Sequence, residues 1–83
     1  MIIKYFSWIR EGIGKTEENL AKPESVIIVS DLLDYLSGMS DLHSSALKER
    51  VFIKVAINQV HAGHDSAVND GDEVAIFPPV TGG

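Results

Sequence analysis

The residues with the clearest capacity for chemistry close the chain: Phe77-Pro78-Pro79-Val80-Thr81-Gly82-Gly83. The carboxylate of Gly83 is a poor electrophile until it is activated, for example as an acyl-adenylate with AMP as the leaving group. A nucleophile then takes the acyl group, and the protein becomes a carrier. If that nucleophile is sulfide or a persulfide, the terminus ends as a thiocarboxylate, a soft sulfur donor. The residue types suit such a role. Glycine has no Cβ and passes where no other residue fits, so Gly82-Gly83 can deliver a carboxylate deep into another protein's site. Pro78 and Pro79 cannot donate to a sheet ladder and fix φ near −65°, so they end a strand and launch a stiff, extended tail. From Pro79 to Gly83 that tail reaches roughly 16 Å at ~3.3 Å per residue. The plainer alternative is a frayed terminus, the usual condition of chain ends. Two terminal glycines arise by chance in about one chain in 200, and the prolines ahead of them lower that further.

Other chemistries find little support. The chain has no cysteine, which removes disulfides, thiolate metal sites and cysteine nucleophiles. His61 and His64 fall in a turn region without a carboxylate to complete a zinc set, and His43 stands alone on a weak helix; all three read as ordinary surface histidines. Asp65, Asp70, Asp72 and Glu73 lack the spacing of a calcium loop, and turn chemistry explains them. Gly12-Ile13-Gly14 lacks the further glycine and the strand–helix context of a phosphate loop. No Ser-His-Asp order is readable. No permanently bound cofactor or metal is expected.

Eighty-three residues make one domain with room for a single core. A net charge of −5 argues against nucleic acid and anionic membranes as partners, since both need a basic face. No apolar run reaches the ~18 residues of a membrane span and no signal-peptide pattern is present, so a cytoplasmic location is expected.

The elements that must present the tail follow from hydrophobic patterning. Met1 to Ile9 reads as a strand with Ile3, Tyr5 and Ser7 on one face and Ile2, Lys4, Phe6 and Trp8 on the other. Arg10 to Pro23 is a connection; a short turn of helix from Ile9 to Gly12 is possible, and Thr16 to Leu20 could form the edge of a second strand. Glu24 to Val29 is a β-branched run expected to be strand two or its continuation. Ser30 is a candidate N-cap, and Asp31, Leu32, Leu33 and Leu36 outline the main helix, stopped at Gly38. A second, shorter helix starts at Ser40-Asp41 and runs to about Glu49 or Arg50. Val51 to Ile57 alternates as a strand, Asn58-Gln59 is a tight turn, and Val60 to Ala62 is a short return strand. Asn69-Asp70-Gly71-Asp72 turns the chain into the last strand, Glu73 to Phe77.

One main helix among about five strands must lie across one face of a single sheet, giving an α+β sandwich. Residues 1–78 are read as the domain and 79–83 as an extended reactive tail. With the helix over Ile3, Tyr5, Ile53, Val55, Ile57, Val74 and Ile76, the other face collects Phe6, Trp8, Ala56, Ala75 and Phe77. A patch of that kind on so small a domain marks a partner surface. The competing reading is that the strand phase is wrong and one of these aromatics is core.

Asn69-Asp70-Gly71-Asp72-Glu73-Val74-Ala75-Ile76-Phe77-Pro78-Pro79-Val80-Thr81-Gly82-Gly83 closely resembles the C-terminal signature of the small, sulfur-carrier subunits of molybdopterin synthase, ubiquitin-like carriers of sulfur. Val55-Ala56-Ile57-Asn58 resembles the family's internal strand–turn motif, and Tyr5-Phe6-Ser7-Trp8-Ile9-Arg10-Glu11 with Gly14 its N-terminal strand and turn. The departures are Lys4, where an apolar residue is usual, and Trp8, where a polar one is. The resemblance implies a β-grasp fold with a mixed sheet of about five strands, one main helix across one face and a second short helix. It implies adenylation of Gly83 by a ubiquitin-activating-like adenylyltransferase that consumes ATP, and then sulfur loading from a donor such as a persulfide sulfurtransferase. It further implies insertion of the tail into a large subunit that holds the catalytic lysine, in a heterotetramer of two small and two large subunits. Two sulfur transfers would convert cyclic pyranopterin monophosphate into the dithiolene of molybdopterin. Gly83 and Gly82 form the reactive arm of this reading; Phe77, Pro78, Pro79, Val80, Thr81, Phe6, Trp8 and Ala75 meet the partner. The alternatives are a sulfur carrier for thiamine, tRNA thiolation or tungsten-pterin synthesis, and a ubiquitin-like protein modifier.

Overall fold

The computed structural model describes residues 1–79. Its elements run β1 (Ile2–Tyr5), α1 (Ser7–Ile13), β2 (Glu17–Asn19), α2 (Val29–Ser37), α3 (Asp41–Leu47), a 3-10 turn (Arg50–Phe52), β3 (Lys54–Ile57), β4 (Val60–Ala62) and β5 (Glu73–Phe77). The five strands form one sheet in the order β2-β1-β5-β3-β4. β1 and β5 pair in parallel at the centre, and the three remaining pairings are antiparallel. A parallel pair cannot be joined by a tight turn, and the chain between β1 and β5 includes α2 and α3.

The first strand is shorter than its alternation suggests. Ser7 takes φ 56°, in the left-handed region, and turns the chain out of the sheet into α1. Ile9 and Ile13, four apart on that helix, then drop into the core. Gly14, at φ 84°, closes the helix by donating its N–H to the Arg10 carbonyl at 2.8 Å. A Cβ at Gly12 would lie 3.2 Å from the Ala46 Cβ, so this glycine allows α1 to pack closely on α3.

The second strand lies earlier in the chain than the β-branched run suggests. It is Glu17–Asn19, antiparallel to β1, whereas the β-branched run from Glu24 is a loop as far as Ile28 and its last residue, Val29, opens α2. Val26 is buried from that loop, and among the described residues the sheet-like pairing there is a single bridge between Ile28 and Ala67. Ser30 is not the N-cap of the main helix, which begins one residue earlier. The Asp31 carboxylate accepts the N–H groups of Ile28 (3.1 Å) and Ile27 (3.0 Å) and caps the first turn from within it. These two bonds hold its pKa below the usual aspartate range. Leu32, Leu33 and Leu36 are fully buried, as their spacing requires, and Gly38 follows the last helical residue.

Ser40 caps α3 by accepting the His43 N–H at 3.2 Å. The third strand starts at Lys54, not Val51, because the 3-10 turn carries Val51 and Phe52 outward into solvent. Asn58 (φ 51°) and Gln59 (φ 69°) form the expected two-residue hairpin. The helices lie on one face of the sheet. Ile3, Tyr5, Val55, Val74 and Ile76 meet Leu32, Leu33, Leu36, Ile9, Ile13 and Leu47 there in a single core. Each fully buried aliphatic side chain contributes ~1.5–3 kcal/mol. Among the described residues no helix is long and apolar enough to cross a membrane.

Candidate functional site

β5 ends at Phe77 in the middle of the sheet, flanked by β1 and β3. Its inward residues, Val74 and Ile76, are fully covered by the core. The outward set is half-buried Ala75 and Phe77, with Pro78 and Pro79 following them off the strand. Register decides the neighbours: Ala75 lies beside Lys4 of β1 and opposite Ala56 of β3, and Phe77 lies opposite Lys54. Phe6 donates its N–H to the Ile76 carbonyl at 3.1 Å, which extends the strand alternation one residue past Tyr5. Its ring therefore joins this outer face and is 43% exposed.

The face thus gathers Phe6, Ala56, Ala75 and Phe77, as the sequence suggested, but not as a strand containing Trp8. The left-handed Ser7 ends the alternation before that residue, so Trp8 sits half-exposed in the first turn of α1. His61 is the residue that sequence reasoning missed. The two-residue hairpin puts it opposite Ala56, and its ring stands edge-on to Phe77 at 5.6 Å and 81°. Register from the Asn58-Gln59 turn could have found it. Lys4 Nζ reaches Glu73 at 3.3 Å across the outer face, a partly exposed pair of small energetic weight. Val80, Thr81, Gly82 and Gly83, the expected threaded segment and reactive arm, lie outside the described residues.

On the other face the sheet is tied to α3 by a polar cluster. Glu18 of β2 points inward, and its Oε2 accepts from the Tyr5 hydroxyl and from His43 Nε2, both at 2.7 Å. Lys15 Nζ donates to the other carboxylate oxygen at 3.0 Å, and Ser40 Oγ holds His43 Nδ1 at 2.7 Å. Burial pushes the Glu18 carboxyl upward, but the bonds from His43, Tyr5 and Lys15 and the charge at His43 outweigh it and bring the pKa down to about 2. Burial first, and then the bond to and negative charge of Glu18, push the Tyr5 hydroxyl far above the ordinary tyrosine value. His43 is thus a buried histidine with both ring nitrogens engaged, not a surface one. His64 also has a partner, with Nε2 2.8 Å from the Ile53 carbonyl. Among the described residues no three His, Asp or Glu side chains converge as a metal set. The network braces the edge of the sheet. Its oxygens and nitrogens are consumed by one another, and it lies on the covered side, away from Phe77.

A mixed five-stranded sheet with its helices on one side, and with its last strand central and delivering the chain end, is a ubiquitin-like β-grasp protein. The chain belongs to the ThiS family, whose model matches residues 3–83. It is 35% identical to the molybdopterin synthase sulfur carrier subunit of Escherichia coli, covering 98% of this chain and 96% of that protein. The subunit of the same name from Haemophilus influenzae is 39% identical, with the same two coverages. Among solved structures, small archaeal modifier protein 1 of Haloferax volcanii superimposes with a TM-score of 0.75 at 31% identity, covering 96% of this chain and 97% of that one.

Proposed function

We propose that this protein is the sulfur carrier subunit of a molybdopterin synthase. The observation that carries the reading is its relationship over 98% of its length to proteins of that name. The position of β5, which delivers Phe77-Pro78-Pro79 from the centre of an apolar sheet face, supports it. In this reading one oxygen of the Gly83 carboxylate attacks the α-phosphorus of ATP on an adenylyltransferase, and pyrophosphate leaves. A sulfur nucleophile then attacks the acyl carbon and AMP departs. Sulfide yields the thiocarboxylate directly. A persulfide yields an acyl disulfide, which a thiol then reduces to the thiocarboxylate. The tail enters the large subunit, where two successive transfers build the dithiolene on cyclic pyranopterin monophosphate. The carrier contributes no catalytic side chain; its part is docking through Phe6, Ala75 and Phe77, reach through Pro78 to Thr81, and the acyl group of Gly83. Trp8, exposed in the first turn of α1, is the remaining partner-facing residue of this reading. The holoenzyme is a heterotetramer in the cytoplasm.

Mass spectrometry of the protein isolated from its own cells tests this. A terminal mass increase equal to the replacement of oxygen by sulfur is the expected result. The relationship to a small archaeal modifier protein supports a second reading, in which Gly83 forms isopeptide bonds. Conjugates to lysines of other proteins, with no sulfur-loaded form, would establish that reading instead.

A further inference from the structure

The twelve side-chain carboxylates of this acidic chain are unevenly placed: between Glu49 and Asp65 there is none. That interval holds Arg50, Lys54, His61 and His64, and it folds into the 3-10 turn, β3 and β4, the end of the sheet next to Phe77. A groove of about 370 Å³ opens there, lined by Arg50, Val51, Ile53, Lys54, Gly63 and His64. Lys54 is exposed and has no carboxylate partner among the described residues. Arg50 is anchored by Asp34 (2.8 Å), Ser37 (3.1 Å) and the Leu47 carbonyl (2.8 Å), so its guanidinium is held in place. Val51, 71% exposed, supplies an apolar wall. Lys54 stands directly opposite Phe77 in the sheet, so the groove continues the outer face described above.

We infer that this groove receives an acidic segment of the docking protein, a carboxylate-bearing stretch with an apolar side chain that settles against Val51. Charge complementarity points to this occupant. On a chain of net charge −5, Lys54 presents an exposed ammonium with no carboxylate partner among the described residues, directly opposite Phe77, whereas the Arg50 guanidinium is already paired with Asp34 and the Asp65 carboxylate lies beside Gly63. Elsewhere on the outer face Lys4 is paired with Glu73. Rim charges of this kind set association rate, salt dependence and partner choice more than they add raw affinity. The groove would therefore select among partners and fix the orientation in which they meet Phe77.

The inference rests on the docking role proposed for Phe77, and the experiment separates the two. Dissociation constants are measured between the full-length protein and the synthase large subunit from the same organism, at low and high salt. The variants are Lys54→Glu, Lys54→Met and Phe77→Asp. Ser44→Asp on the exposed side of α3 serves as a control for net charge, matched to Lys54→Met. Lys54 is solvent-exposed, so its variants keep the fold, which circular dichroism checks. Lys54→Glu is expected to weaken binding about tenfold at low salt, and Lys54→Met less, both with a shallower salt dependence. Ser44→Asp should stay within about twofold of the parent. If both Lys54 variants bind like Ser44→Asp while Phe77→Asp binds poorly, the groove is not a docking element and the inference falls alone. If Phe77→Asp binds normally, the docking face itself is wrong and the inference falls with it.

Discussion

Glu18 is the residue on which the most side chains depend. It accepts from Tyr5, His43 and Lys15, and its side chain is only 9% exposed. Replacing it with alanine leaves a buried hydroxyl and a buried imidazole N–H without an acceptor, which costs more than the average hydrogen bond contributes. Glu18→Ala is expected to lower stability by about 2–4 kcal/mol, and Tyr5→Phe by about 1 kcal/mol, in urea denaturation. A smaller loss for the alanine variant than for Tyr5→Phe would show that water replaces the carboxylate. The same residue sets an acid limb. Its pKa falls from 4.5 to about 2 on folding, so its stabilisation is complete above pH about 4.5 and is lost as pH drops through about 2. The stability difference between the parent and Glu18→Gln should therefore shrink steadily across that window. A difference that stays constant with pH would mean that the carboxylate is not ionised preferentially in the folded state.

Among the elements, the β3–β4 hairpin and β5 act as one unit, because Asn58 links them. It sits at positive φ in the turn, its Nδ2 donates to Asp72 at 3.0 Å, and its Oδ1 accepts the Glu73 N–H at 3.0 Å. Asn58→Ala loses both bonds and adds strain at a left-handed position, with an expected cost of about 1–2 kcal/mol in thermal or urea unfolding. Asn58→Gly removes the strain but not the lost bonds and should fall between the two proteins. If it is the less stable variant, backbone strain is not what the asparagine relieves. The outward side of β5 invites the converse test. Phe77 is half-buried on the outer face and takes no part in the core, so Phe77→Asp should lower stability by less than about 1 kcal/mol while weakening large-subunit binding at least tenfold. Equal losses in both measurements would make Phe77 a core residue.

At the scale of the whole molecule, a single core built on one face of the sheet leaves the other face free to dock and the last strand free to emit the tail. The domain and its reactive end are thus energetically independent in the proposed function. Deleting Gly82-Gly83 should leave the melting temperature within about 1–2 °C of the parent, since the core described above is assembled from residues between Met1 and Ile76. The deletion should abolish sulfur transfer to cyclic pyranopterin monophosphate in a reconstituted synthase. Normal transfer by the truncated protein would refute the carrier assignment.

The strongest sequence signals were those enforced by local chemistry. The leucine spacing of α2, the Asn58-Gln59 hairpin, the turn before β5 and the alternation of Val74 and Ile76 each follow from period, φ > 0 tolerance or face. The end of β5 at Phe77, ahead of Pro78-Pro79, follows likewise from proline's missing donor, whereas the expected arm from Val80 to Gly83 lies outside the described residues. Only the tertiary structure decided the rest. The run Glu24 to Val29 ends in β-branched residues, yet it is a loop as far as Ile28 and Val29 opens α2, because the edge beside β1 is already occupied by the polar Glu17–Asn19. Trp8 leaves the sheet because the left-handed turn at Ser7 puts Ile9 and Ile13 into the core. His43 and Glu18 are 25 positions apart and carry no mutual pattern in sequence. Their pairing depends on the angle at which α3 crosses the sheet. Likewise, Lys54 and Phe77 become neighbours only through strand register. Long-range partners of this kind are fixed by packing of the whole core, which no local spacing encodes.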